Sequence, residues 1–333
     1  MIVAGSPLDG VELVLADLDG VVYRGKSAIP HAVEALNQAH RDVPVGYITN
    51  NASRTPETVA GQLAGYGLAV TPTDVVTSPQ AAMVLLEQLV EPGATVLVVG
   101  GEGLTTAVEG AGFVVTRSAE DDPAAVVQGF SPELGWKDLA EAAFALHRGI
   151  PWVATNQDWT LPLERGTAPG NGTLVSAVHT AVGRLPQFAG KPEVPIFTAA
   201  LERFSASSAL MIGDRLDTDI LGANRAGLAS LLVLTGIDQA KQVLAAEEEY
   251  RPHFIVDDLR GLHEPYPEIG VSLEQSTGAR LVHVGDAVVR LHKGVVSVDR
   301  PGSPIDRLRA GCIAVWGSGV KIYSLDVAPE LYS

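Results

Sequence analysis

One cysteine, Cys312, is all the chain carries, so no intrachain disulfide can form and stability has to come from packing. No nucleophile-activating pattern surrounds that thiol, and it reads as a small buried hydrophobe. Long apolar runs are missing as well: nothing approaches the roughly 20 uninterrupted residues that a membrane helix needs. Met1 to Gly10 hold no basic stretch followed by an apolar one, so a secretory leader is not expected and the cytoplasm is the default location. Basic residues are scarce, 23 Lys and Arg against 39 Asp and Glu for a formal net charge of −16. That balance argues against a nucleic-acid partner, because such binding neutralises phosphates with clustered cations. No internal repeat or low-complexity tract is evident.

What is there suits an enzyme with a large core. The 333 residues are 46% hydrophobic and 19% charged, enough for more than one domain. Strand-like runs alternate with amphipathic or Ala-rich stretches, which predicts a mostly parallel sheet with helices on both faces. Core strands are expected over Val11 to Asp17, Val43 to Thr49, Ala209 to Gly213, Ser230 to Leu234 and His253 to Val256. Between the second and third lies an insertion with its own alternation, where Thr95 to Val99, Ala124 to Gln128 and Trp152 to Ala154 read as strands. It is too long for a loop and long enough for a separate α/β domain.

Polar groups gather where apolar strands stop. Asp17-Leu18-Asp19-Gly20 ends the first run in two carboxylates, which alternation would project to one side at the carboxyl edge, where open α/β sheets bind ligands. An acidic turn before Gly20 is the plainer alternative. Tyr47-Ile48-Thr49-Asn50-Asn51 ends the next strand in a hydroxyl and two amides. Gly190-Lys191-Pro192 offers a cation ahead of a helix, and Met211-Ile212-Gly213-Asp214-Arg215-Leu216-Asp217-Thr218-Asp219 ends a further strand in an acid cluster. Each has a structural reading by itself: an exposed lysine, an acidic helix start. Four polar strand ends in one chain are hard to explain as separate turns.

These four segments, in this order, resemble the motifs of the haloacid-dehalogenase (HAD) phosphatase superfamily. DLDGVVYRG, TNNASR, GKP and GDRLDTDI are close to the forms used by its NagD-like group of 4-nitrophenyl-phosphate, phosphoglycolate, glycerol-phosphate and pyridoxal-phosphate phosphatases. The resemblance covers roughly residues 8 to 270. It implies a doubly wound, Rossmann-like parallel core with a large inserted α/β cap: core over 1–86 and 186–271, cap over 87–185. A small C-terminal α/β appendage, 272–333, lies outside it. Homodimerisation through the cap is a further expectation from the family.

Chemistry and resemblance together suggest roles. A carboxylate that attacks phosphorus splits ester hydrolysis into two easier steps, and Asp17 is the candidate nucleophile. Asp19 would protonate the leaving alkoxide and then deprotonate the water. A hard cation would hold Asp17 and phosphate together despite their like charges, and oxygen ligands point to magnesium (Mg2+). By resemblance its protein ligands would be the Asp17 carboxylate, the Asp19 backbone carbonyl and the Asp214 carboxylate. Thr49, Asn50 and Lys191 would supply donors to the phosphate oxygens. Asn51 either joins them or caps the following helix. Of Asp217 and Asp219, one would orient Lys191 or a metal-bound water while the other faces solvent or caps the next helix, and the family's spacing favours Asp219 as the inner one.

Two decoys are set aside. Gly100-Gly101-Glu102-Gly103 fails the dinucleotide fingerprint at Thr106 and is expected to be a tight turn in the cap; Asp214 to Asp219 lacks the spacing of a calcium loop. Substrate choice is expected in the cap, where residues 154–172 resemble the family's specificity loop. Asn156, Asp158 and Trp159 would enclose a small phosphorylated metabolite, with Trp159 alternatively packing in the cap or at a dimer contact. Glycerol 3-phosphate or 2-phosphoglycolate is favoured, with pyridoxal 5′-phosphate the alternative. Readings of another kind are a phosphate sensor without turnover and a phosphotransferase that passes the aspartyl phosphate to an acceptor other than water.

Beyond residue 271, Arg280 to Leu291 and Cys312 to Leu325 read as strands, the latter a hairpin at Gly317-Ser318-Gly319, with a short helix near Ile305 to Arg309. The segment weakly resembles a fragment of an acetyltransferase-like fold, without the Arg/Gln-x-x-Gly-x-Gly/Ala loop those enzymes use for coenzyme A. Packing or interaction is its expected role.

Overall fold

A computed structural model describes residues 5–163 and 165–332. Residues 1–4 of the N-terminal stretch, Glu164 within the 154–172 stretch and Ser333 lie outside the described residues. The chain is α/β and divides into two compact units, residues 1–45 with 208–333, and residues 46–207. These boundaries differ from the expected 86/87, 185/186 and 271/272.

In the first unit, the strands Phe254–Val256, Ala229–Val233, Leu210–Gly213 and Val14–Ala16 lie side by side in that order, all parallel. They read as unbroken apolar runs because both faces are covered, and Leu13, Val14, Leu15, Leu210, Ile212, Leu231 and Leu232 are fully buried. The first strand is shorter than expected. It stops at Ala16, and Leu18 O then collects the N–H groups of Val22 at 2.9 Å and Tyr23 at 3.1 Å, so the chain curls at once.

The C-terminal residues fall within the first unit. Strands Ile269–Leu273, Arg280–Val284, Ala287–His292 and Val295–Arg300 make an antiparallel meander, and Asp326–Val327 adds a parallel edge. One hydrophobic cluster joins Val282, Val289, Val296, Leu308 and Val315 to Leu232, Val243, Leu244 and Ile255 of the preceding segment. The buried Arg309 guanidinium seals the seam, donating to Ile255 O from Nε at 2.9 Å and Nη2 at 2.6 Å.

The strand expected over Cys312 to Leu325 is replaced by the helix Pro304–Trp316 and a short 3-10 turn at Ile322–Ser324. Ser303 caps the helix by accepting from Asp306 N–H at 3.2 Å, with Pro304 in the first turn. Leu308, Cys312 and Val315 are buried at helical spacing, so the β-branched residues that suggested a strand answer to tertiary packing instead.

In the second unit, Val45–Thr49, within which the unit begins, pairs in parallel with Val75–Thr77. A five-stranded parallel sheet follows, ordered Gln187–Phe188, Trp152–Ala154, Ala125–Gln128, Thr95–Val99, Val114–Thr116. Helices Trp136–Leu146 and Asn171–Val182 pack together, and their Ala142, Leu146, Val175 and Val178 share one cluster with Leu97, Val126 and Trp152 of the sheet. Among the described residues, no helix is long and apolar enough to cross a membrane.

Candidate active site

The first unit brings acids together. Asp17 follows the strand end at Ala16, its N–H still bound to Ile212 O at 2.9 Å, while Asp214 follows the strand end at Gly213. Asp219 arrives on a wide helical turn, Leu216–Ile220, whose Ile220 N–H reaches back to Arg215 O at 3.2 Å. Carboxylate oxygens of Asp17, Asp214 and Asp219 lie within 4.8 Å of one another. Asp214 and Asp219 are each 1% exposed, so their charges have little water to screen them.

Glycines make room for this cluster. A Cβ on Gly20, where φ is +84°, would lie 2.2 Å from Asp214 Oδ2, and one on Gly236 would lie 1.9 Å from the same atom. On Gly213 it would meet Asp219 Cβ at 2.1 Å. Asp214 Oδ2 accepts Ile237 N–H at 2.7 Å, so the Gly236 turn both admits and holds the carboxylate. Asp238 adds a further acid, accepting Leu216 N–H at 2.6 Å, and burial pushes its carboxyl above the usual range. The sequence does not mark Gly236 or Asp238, whose partners lie more than 20 residues away.

The three acids fit a small hard cation. Carboxylates packed this closely repel one another, and oxygen donors of full negative charge suit a divalent ion such as magnesium. Asp219 therefore belongs to the cluster itself, not only to its surroundings. Asp217 does not join it: the side chain is 60% exposed and pairs with Arg215 at 2.7 Å. Asp19 is exposed and takes the Tyr23 hydroxyl at 3.3 Å. Because the strand ends at Ala16, the turn sets the direction of Asp19, and strand alternation does not.

The second unit gathers donors. Thr49 is buried, and its hydroxyl oxygen accepts Asn51 N–H at 3.1 Å, which leaves the hydroxyl hydrogen to donate. Lys191 is only 3% exposed, with Nζ 3.5 Å from Ile48 O. The helix expected just after it begins at Val194.

Asn50 departs from its expected role. Its Nδ2 donates to Lys191 O at 2.9 Å and to Asp158 Oδ1 at 3.1 Å, and its Oδ1 accepts Lys191 N–H at 2.8 Å. Both amide hydrogens are thus engaged within the protein, and the side chain has none to give a phosphate. Asn51 does not cap the next helix either. Its Oδ1 accepts Ser53 N–H at 2.9 Å and Arg54 N–H at 3.3 Å, closing a turn, while Thr55 is the cap of Pro56–Gly65.

Of the three cap residues, Asn156 is committed to structure: buried, it donates to Asn50 O at 2.7 Å and accepts Asp158 N–H at 3.1 Å. Asp158 is half-buried, and Trp159 is 64% exposed, so it does not pack inside the cap. The Gly100-Gly101-Glu102-Gly103 run is a helix start, Glu102–Gly110. Its glycine admits the 52–54 loop, for a Cβ on Gly103 would sit 2.7 Å from Arg54 O.

A parallel α/β sheet whose strand ends present closely packed, buried carboxylates has the donor set of a metal-assisted α/β hydrolase. Residues 14–114 match the model of the haloacid dehalogenase-like hydrolases, and residues 188–262 match a second model described as HAD-hydrolase-like. The chain is 44% identical over 306 residues to D-glycerol 3-phosphate phosphatase of Mycobacterium tuberculosis, covering 92% of this chain and 86% of that protein. It is 36% identical to acid sugar phosphatase of Staphylococcus aureus, over 69% of this chain and 88% of the other. Among solved structures, glycerol phosphate phosphatase of M. tuberculosis in complex with magnesium superposes with a TM-score of 0.87 at 41% identity, covering 97% of this chain and 95% of that one. The chain belongs to the haloacid dehalogenase-like hydrolase family.

Proposed function

We propose that this protein is a magnesium-dependent phosphatase that hydrolyses glycerol 3-phosphate through an aspartyl phosphate on Asp17. The observation that carries the reading is the convergence of Asp17, Asp214 and Asp219 within 4.8 Å. The choice of substrate is supported by the relative 44% identical over nearly the whole chain, itself a D-glycerol 3-phosphate phosphatase.

Asp17, Asp214 and Asp219 would hold the cation, which supplies positive charge against the anionic ester. A carboxylate oxygen of Asp17 attacks phosphorus, and the bond from phosphorus to the glycerol oxygen breaks. Asp19, exposed beyond the strand end, gives the leaving oxygen its proton. It then takes a proton from the water that attacks the acyl phosphate, which returns Asp17 and releases inorganic phosphate. Thr49 donates its hydroxyl hydrogen to a phosphate oxygen, and the buried Lys191 ammonium offsets the charge on the others.

Phosphate release from glycerol 3-phosphate, 2-phosphoglycolate, pyridoxal 5′-phosphate and 4-nitrophenyl phosphate, each with magnesium or EDTA, tests this. Release that needs magnesium, is fastest with glycerol 3-phosphate and vanishes in Asp17→Asn is the expected result. No release from any ester, with binding retained, would make the chain a sensor. Release that an added alcohol diverts into a new ester would make it a phosphotransferase.

A homodimer through the cap and a cytoplasmic location belong to the same proposal. Trp136 and Phe144, 78% and 58% exposed on the Trp136–Leu146 helix, support the first. Light scattering of the wild type against Trp136→Glu tests it, a shift to monomer being expected.

A further inference from the structure

We infer that Asp158 is a positioning residue for Lys191, acting through the carboxamide of Asn50, so that phosphate capture depends on the seating of the loop that carries Asp158. The inference rests on the phosphatase reading above for the role of Lys191, and on contacts within residues 46–207 for its geometry.

Asn50 is the hub. Its carbonyl oxygen receives Ser78 Oγ at 2.7 Å and Asn156 Nδ2 at 2.7 Å, which fixes the backbone just past the Val45–Thr49 strand. Its carboxamide makes a two-way clasp with the backbone of Lys191, N–H at 2.8 Å and C=O at 2.9 Å. The remaining Nδ2 hydrogen goes to Asp158 Oδ1 at 3.1 Å. A flipped amide would set its oxygen against both Lys191 O and the Asp158 carboxylate, so the carboxylate helps lock the one orientation that clasps Lys191. Gly190 makes the clasp possible, because a Cβ there would lie 2.5 Å from Asn50 Oδ1.

Asp158 is itself held. Its N–H donates to Asn156 Oδ1 at 3.1 Å, and its carbonyl accepts Gly172 N–H at 2.9 Å from the start of the Asn171–Val182 helix. The two glycines that flank Asn171 at that helix start leave no room for side chains: a Cβ on Gly170 would lie 2.2 Å from Asp158 O, and one on Gly172 would lie 2.4 Å from Gln157 O. These contacts seat the loop against the Asn171–Val182 helix, and Asn50 transmits that seat to the backbone from which the buried Lys191 ammonium extends. Loop placement thereby sets the site's grip on phosphate itself, whatever the leaving group.

Inhibition by inorganic phosphate reads that grip without a leaving group. Asp158→Ala and Asn50→Ala should each raise the phosphate inhibition constant about tenfold, the scale of a hydrogen bond to a charged group. Asp158→Asn, which retains an accepting oxygen, should stay within about twofold of wild type, and the double alanine variant should be no worse than the poorer single one. Magnesium titration without phosphate reads the acid cluster of the other unit and should be unchanged, while circular dichroism melting checks that residues 46–207 still fold. Asn50→Ala probes the same contact from the other side should Asp158→Ala fold poorly.

Unchanged phosphate inhibition in Asp158→Ala with a raised KM for glycerol 3-phosphate would overturn the relay and make Asp158 a reader of the leaving group. Additive losses in the double variant would also overturn it. If wild type hydrolyses no ester, the phosphatase reading fails separately, and calorimetric binding of inorganic phosphate to the same variants still decides the relay.

Discussion

Asp219 holds the turn that presents Asp214: its Oδ2 accepts the N–H of Asp214 at 3.2 Å and that of Arg215 at 3.1 Å. One carboxylate thus serves a structural purpose and lends its charge to the acid cluster. Asp219→Ala should lower magnesium affinity by at least about 10–100-fold, the loss expected for a group that only orients a metal's ligands. It should also cost about 1–3 kcal/mol, because two N–H groups lose a buried acceptor. Asp217→Asn should leave magnesium affinity unchanged and shift stability by less than about 1 kcal/mol, since its pair with Arg215 is solvated. Calorimetric titration and denaturant unfolding of both variants check the contrast.

Gly236 is needed for space. Alanine there would place a methyl 1.9 Å from Asp214 Oδ2, so either the carboxylate or the turn carrying Ile237 N–H has to move. Gly236→Ala should weaken magnesium binding by at least about tenfold. Gly61 is the counterexample: it is exposed inside the Pro56–Gly65 helix, and a methyl group added there would meet nothing within 4 Å. Gly61→Ala should stabilise by about 0.5–1 kcal/mol at unchanged activity. A reversed order of the two effects would show that the space around Asp214 is not what limits the site.

The C-terminal residues complete a core. Leu308, Val282 and Val289 share a cluster with Leu232, Val243 and Ile255, so deleting residues 269–333 should strip a buried face and give insoluble protein. Leu308→Ala, at a side chain 4% exposed, should cost about 2–5 kcal/mol. Urea unfolding followed by circular dichroism measures the second. A soluble truncation with full activity would mean that the first-unit strands need no such cover.

What could be read from sequence followed from what local patterns report. Apolar runs that stop in polar residues located Asp17, Thr49 and Asp214, because strand ends in parallel sheets leave such a mark. Spacing also separated Asp219 from Asp217, through the resemblance. The deeper roles of Asn50 and Asn156 were out of reach, since both are set by partners more than 100 residues away. Around Cys312 the β-branched Ile313 and Val315 favour a strand locally, while the burial that selects the helix comes from distant strands. Asp19 was placed by strand alternation that ends at Ala16.

His253 gives the fold a pH dependence of known sign. Its Nδ1 accepts Ser230 N–H at 3.2 Å and lies 2.9 Å from the Ser230 hydroxyl, and burial lowers its pKa below the ordinary 6.5. The folded ring therefore stays neutral where the unfolded chain takes up a proton. Stability from this group is complete above about pH 6.5 and is lost as pH falls from there toward the folded pKa, with a slope approaching about 1.4 kcal/mol per unit. Glu274 acts in a lower window: Arg290 holds its carboxyl at about 2, so its contribution is lost only below the ordinary carboxylate value. Urea midpoints between pH 5 and 8 should fall on acidification in the wild type and flatten in His253→Gln. Equal slopes in both proteins would assign the dependence to other groups.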